Sequence, residues 1–222
     1  MTDGSTEHIL VVRTDRIGDV ILSLPVVWAL KERFRGSRVD MLLSPATSEL
    51  VSGHPHVNEI VVDDEWNRHK GLRGFLRLVR LLRSREYDVA VLLHPTFRLA
   101  LLLVLLGVGR RIGSGYRWYG FLLTDRIYEH RRDALRHEAA YNLNLLRPLG
   151  IRDHDGLRFD LSVSSGATSG VDEMIRSLGL GETDRIALLH PGSGGSARSR
   201  ILLKRRIVAG RFSSTSGMST RS

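Results

Sequence analysis

Two short stretches of this chain carry residues able to do chemistry. The first is the turn Thr14-Asp15-Arg16-Ile17-Gly18-Asp19, which follows the β-branched, apolar run Ile9 to Arg13 (ILVVR). Such a run predicts a buried parallel strand. An acid just beyond it, Asp19, then stands at the mouth of a helix, where open α/β sheets take their ligands. The plain alternative is that Asp19 only caps that helix, a common task for Asp. The turn has one glycine where a dinucleotide fingerprint needs three, so a nicotinamide or flavin ligand loses its main support.

The second stretch is His190-Pro191-Gly192-Ser193-Gly194-Gly195-Ser196-Ala197-Arg198, directly after the apolar run Ile186–Leu189. Glycines let a backbone approach phosphate closely, and free N–H groups at a helix start favour anions. Ser193, Ser196 and Arg198 add hydroxyls and a charge that pair with phosphate oxygens, and Gly192 and Gly194 supply the backbone. The alternative is a flexible Gly/Ser loop without a ligand. His94, in LLHPT, also follows a predicted strand and lines the same edge, unless it caps the next helix.

The elements that must position these residues alternate along the chain. Strands are expected at Val39–Leu43, Glu59–Val62, Tyr87–Leu93 and Arg110–Gly113, besides the first. Helices are expected at Val20–Phe34, kinked or delayed by Pro25, near Ala46–Ser52, at Leu72–Arg83, at Phe97–Leu106 and at Arg136–Leu149, closed by Gly150. This alternation predicts an α/β fold, a Rossmann-like doubly wound parallel sheet. Residues Asp153–Gly170 turn polar and Gly/Ser-rich and read as an interdomain linker. A helix at Val171–Leu178 and the strand Ile186–Leu189 then open a second domain.

Composition narrows the class further. The 222 residues are 42% hydrophobic and 26% charged, as in a soluble globular protein. There is no cysteine, so disulfide, thiolate and zinc-thiolate chemistry are all excluded. The N-terminus MTDGSTEH lacks the pattern of a secretory signal, and the apolar run Leu99 to Val108 is half a membrane span. A cytoplasmic protein is expected. The net charge of +9 suggests nucleic acid until it is located. Seven of the 33 Lys and Arg lie between Arg198 and Ser222, where there is no acid. Residues 1–197 thus carry 26 basic against 24 acidic residues, and no nucleic-acid partner is expected. Residues 199–222 read as an aberrant basic Arg/Ser-rich tail, either a frame-shifted end or a segment for anionic partners.

The motifs resemble the heptosyltransferase family (glycosyltransferase family 9, the ADP-heptose:lipopolysaccharide heptosyltransferases). ILVVRTDRIGDVILSLPVVWALKERF looks like that family's opening signature, a strand, R-x-D/S-x-x-G-D and a proline-containing helix. YDVAVLLHPTFRLALLL, RRIGSGYRW, YEHRRDALRHEAAYNLNLLRPLGI and HPGSGGSAR follow in family order, over about residues 8–198. The last is similar to the family's donor loop, where Lys commonly stands in place of Arg198.

The resemblance implies a GT-B enzyme, with acceptor bound by an N-terminal domain (1–160) and nucleotide sugar by a C-terminal domain that begins at 161–198. This chain is then the N-terminal half of such an enzyme, truncated and inactive alone. It implies Asp19 as general base in an inverting transfer of heptose, or a related sugar, from an ADP-heptose type donor to a lipopolysaccharide core or lipid-linked glycan acceptor. Gly18, His94 and Arg117 join the Gly-rich loop in substrate binding. Arg110, Arg111, Arg131 and Arg132 are either partners of inner-core phosphates or solvated surface. No cofactor and no metal are implied, and His137 with Glu138 lacks a third ligand one turn away. Peripheral contact with the inner membrane is a further expectation. Trp28, Trp66 and Trp118 read as packing residues, with Trp118 alternatively shaping the acceptor loop. The competing functions are a non-catalytic acceptor-binding module and a basic nucleic-acid-binding protein.

Overall fold

The computed structural model describes residues 7–129, 137–152, 157–161, 163, 165–181 and 184. The chain divides into two compact units, one ending at Val163 and one beginning at Ser164. In the first, β-branched and apolar runs form six strands: β1 (His8–Val12), β2 (Arg38–Leu43), β3 (Glu59–Val62), β4 (Val89–Leu92), β5 (Arg110–Ser114) and β6 (Asp125–Ile127). They form one sheet in the order β3-β2-β1-β4-β5-β6, and every pairing is parallel. The expected doubly wound, Rossmann-like sheet is the fold.

Strand β6 is absent from the expectations. With three residues, two of them charged, it has no readable period, and it forms only because β5 offers an edge.

Helices cover both faces of the sheet. Ile9 and Val11 of β1 and Val39, Met41 and Leu43 of β2 pack with α2 (Leu24–Arg33) and α6 (Glu138–Asn144). The alternate residues Leu10, Val12 and Leu42 pack with α4 (Gly71–Arg83) and α5 (Phe97–Leu105). Strand periodicity thus sends successive side chains into two separate cores. Leu99, Ala100, Leu102 and Leu103 of α5 are buried, so its apolar run serves the core. Among the described residues no helix is long and apolar enough to cross a membrane.

Proline shapes two departures from expectation. The stretch after β1 is two helices, α1 (Ile17–Ile21) and α2, with Pro25 at the second position of α2, where its missing N–H leaves no bond unmade. The expected long helix before Gly150 is α6 followed by a 3₁₀ turn, Arg147–Leu149, built around Pro148. Gly150 closes it with φ of 77°, as the cap requires. A short helix α3 (Pro45–Ser48), running into a 3₁₀ turn at Glu49–Val51, lies between β2 and β3.

The strands' amino ends are tied by polar contacts. Asp40 is fully buried; it lies 2.9 Å from His8 Nε2, 3.0 Å from Tyr87 Oη and 3.3 Å from Arg38 Nε. Burial first, and then Asp40, push the Tyr87 phenol well above its ordinary range. The hydrogen bond from Arg85 holds the Glu59 carboxyl below its usual value. The opposite, carboxyl edge is left for other work.

In the second unit the described residues form helix α7 (Ser165–Ser177). Residues 165–170, expected as linker, are its first turns. Gly and Ser are weak helix formers, so local propensity hid them. The expected strand Ile186–Leu189 and the tail 199–222 lie outside the described residues.

Candidate active site

The sheet reverses direction between β1 and β4. The chain leaves β1 toward β2 on one side and leaves β4 toward β5 on the other. A crevice opens at such a switch point, beyond the strands' carboxyl ends. Here it is a cavity of about 690 Å³, lined by Arg13, Asp15, His94, Pro95, Tyr116 and Arg117, with Ser114 and Glu129 also on its wall. That volume lies within the range of small-molecule sites.

Arg13 organises the crevice. Its backbone N–H extends the sheet by donating to Leu42 O at 3.0 Å, and its side chain is only 4% exposed. Nη1 donates to Leu93 O at 2.9 Å, binding the end of β1 to the end of β4. Nη2 lies 3.0 Å from Asp19 Oδ1. Nε lies 2.7 Å from Asp15 Oδ1 as an ion pair without hydrogen-bond alignment. One buried guanidinium therefore aims two carboxylates, and its planar fork gives the pair a fixed geometry.

Asp19 is the third residue of α1, and the capping position is held by Arg16, which makes no side-chain cap. Its side chain is 34% exposed, so it is held by Arg13 and still open to a ligand. Gly18 precedes it; a Cβ there would meet nothing within 4 Å, so packing does not require the glycine. His94 does not cap α5 either. Thr96 does, accepting from the Leu99 N–H, while His94 Nδ1 lies 3.1 Å from Thr14 Oγ1 and bridges the two loops of the crevice. Arg117, beyond β5, lines the far wall.

His94 and Arg117 thus line one crevice, while Asp19, with Gly18 before it, is tied to the crevice wall through Arg13. Arg110 and Arg111 do not share the crevice. Arg110 pairs with Asp125 and donates to Pro148 O, while Arg111 donates to Leu122 O and Val108 O. Gly192, Ser193, Gly194, Ser196 and Arg198 lie outside the described residues, as do Arg131 and Arg132. Arg13 and Asp15 are the residues that sequence reasoning passed over. A charge ending a buried apolar strand needs a partner, and that need was the available signal.

No family model matches the chain. A provisionally named glycosyltransferase of Haemophilus influenzae is 25% identical over 200 residues, covering 86% of this chain and 56% of that protein. Lipopolysaccharide heptosyltransferase 3 of Escherichia coli is 28% identical over 141 residues, covering 61% of this chain and 40% of that one. The chain resembles the heptosyltransferases. The fold agrees: a glycosyl transferase family 9 structure from Veillonella parvula superposes with a TM-score of 0.70 at 22% identity, over 83% of this chain and 53% of that one. The chain spans about half the length of the relatives it matches.

Two aromatic readings need correction. Trp66 and Trp118 were expected in packing but are 80% and 73% exposed, whereas Trp28 is half-buried with Arg158 over its ring. Trp118 is stacked on Phe97 at 5.1 Å, beside the loop that carries Arg117.

Proposed function

We propose that this chain supplies the acceptor side of an inverting glycosyltransferase of the lipopolysaccharide heptosyltransferase type. The acceptor is a lipopolysaccharide core or lipid-linked glycan, seated in the crevice between β1 and β4. The donor is a nucleotide sugar of the ADP-heptose type. Residues 1–160 form the acceptor domain, and residues 161–198 begin the donor side. The observation that carries this reading is Asp19, partly exposed and held by the buried arginine that lines a sugar-sized cavity at the sheet's switch point.

In the reaction, an acceptor hydroxyl oxygen bonds to the anomeric carbon as the carbon–oxygen bond to the diphosphate breaks. Asp19 receives the hydroxyl proton, and the nucleoside diphosphate leaves with the electron pair. Arg117 and His94 orient the acceptor, and Gly18 leaves room for it. Gly192, Ser193, Gly194, Ser196 and Arg198 face the diphosphate, whose charge N–H groups and a cation stabilise. The enzyme works at the cytoplasmic face of the inner membrane.

Calorimetric titration with a heptose-containing core oligosaccharide tests the acceptor assignment. Saturable binding is expected, weakened roughly tenfold or more by Arg117→Ala, the scale of a hydrogen bond to a charged group. Absence of binding, or an Arg117→Ala affinity equal to the parent's, counts against it.

A further inference from the structure

We infer that Tyr116 is the platform on which the acceptor's sugar ring rests, and that the cavity takes an uncharged pyranose unit. The inference deepens the proposed function and rests on it, since the crevice must first seat an acceptor glycan.

The register of the sheet builds the platform. Ser114 of β5 pairs with Ile127 of β6, and the Gly115 N–H donates to Ile127 O at 3.0 Å. The chain therefore leaves the carboxyl ends of β5 and β6 with Gly115 beside Tyr128. A Cβ on Gly115 would lie 2.5 Å from Cζ of Tyr128, so the absent side chain lets that ring lie against the backbone. Tyr128 in turn meets the ring of Tyr116, with centroids 5.4 Å apart and planes at 85°. Edge-to-face contact is a favoured arrangement of two aromatic rings, and here it braces Tyr116 on one side. Neither ring belongs to the two hydrophobic cores. Tyr116 is 51% exposed and lines the cavity, so its ring is available to a ligand there.

The groups around the ring indicate what it would hold. A pyranose presents C–H bonds on its face, which pack on an aromatic ring, and hydroxyls on its rim. Beside Tyr116 the cavity wall offers Ser114, Arg117, His94 and Glu129, which between them donate to and accept from hydroxyls. A phosphate-rich ligand would need an excess of positive charge. The wall has instead two cations, Arg13 and Arg117, against two acids, Asp15 and Glu129. Arg13 is already engaged by Asp15 and Asp19. A carboxylate such as Glu129 accepts from a sugar hydroxyl and repels a phosphate.

The test is calorimetric titration of the whole chain with a core oligosaccharide freed of phosphate and ending in a neutral heptose. The parent should bind saturably, and excess inorganic phosphate or adenosine should not displace the sugar. Tyr116→Ala should weaken binding about tenfold, the scale of a close aromatic contact. Tyr116→Phe and Tyr116→Trp should bind nearly as the parent does, because the ring and not the hydroxyl supports the sugar. Gly115→Ala should weaken binding too, since the Tyr128 ring must move and Tyr116 loses its brace. The melting curve of Tyr116→Ala should stay near the parent's, because the residue is half-exposed and outside the cores. Parental affinity in Tyr116→Ala, a loss in Tyr116→Phe as large as in Tyr116→Ala, or displacement by phosphate or adenosine would overturn the inference. Binding that falls in Arg117→Ala but holds in Tyr116→Ala removes the platform and leaves the acceptor assignment standing. No binding by the parent removes both.

Discussion

Arg13 is where the strand's physics and the site's geometry meet. Its backbone belongs to the sheet, and its buried side chain joins two loops and two carboxylates. Replacing it with methionine keeps the volume but leaves Asp15 and Asp19 without their cation. Because both acids are partly exposed, the cost should be about 2 kcal/mol, below that of breaking a fully buried pair. Urea unfolding of Arg13→Met measures it, and a midpoint equal to the parent's would show that Arg13 is not the organiser. At this scale the residue pattern singles out Asp19 and His94, each with a capping alternative, and the family resemblance adds Arg117. The structure places His94 and Arg117 on one crevice wall, with Asp19 joined to it through Arg13. The residue pattern leaves Arg13 and Asp15 unread. Arg13 looked like the end of a strand, and its contact with Leu93 spans 80 residues, which no local pattern encodes.

Elements were legible where period and length agreed, as in β3 and α5, and obscure where a neighbour imposed the structure, as in β6. Helix α4 shows a constraint that its amphipathic pattern conceals. A Cβ on Gly74 would lie 2.4 Å from the backbone carbon of His69, so the preceding turn crosses the helix where only glycine fits. Gly74→Ala should destabilise by about 1–3 kcal/mol despite alanine's better helix propensity. A thermal melt decides the sign, and a stabilised variant would contradict the close crossing.

The amino edge of the sheet makes a prediction in pH. Burial raises the Tyr87 phenol above its ordinary value of 10.0. The unfolded chain therefore loses that proton first. Stability from this group is complete below about pH 10 and declines as pH rises through the folded value. Tyr87→Phe should start less stable, by about 1–3 kcal/mol, because Asp40 loses a donor. Its stability should also fall less steeply above pH 10. Parallel alkaline limbs for the two proteins would show that Tyr87 does not titrate differently on folding.

On the scale of the whole molecule, the polar contacts are divided between the two ends of the sheet. At the amino edge a buried acid is surrounded by donors and holds strands together. At the carboxyl edge an arginine on the wall of a cavity holds two partly exposed acids. The resemblance to heptosyltransferases fits that division, since the crevice at the carboxyl edge has room for a sugar and an acid held at its wall. The measurement that bears most directly on this account is turnover by an enzyme with both substrate-binding halves, compared with and without the Asp19→Asn change in this crevice. With acceptor and ADP-heptose supplied, Asp19→Asn should lower kcat roughly a hundredfold or more while the acceptor KM changes little. A folded Asp19→Asn variant with near-parental kcat would contradict the assignment of Asp19 as the base.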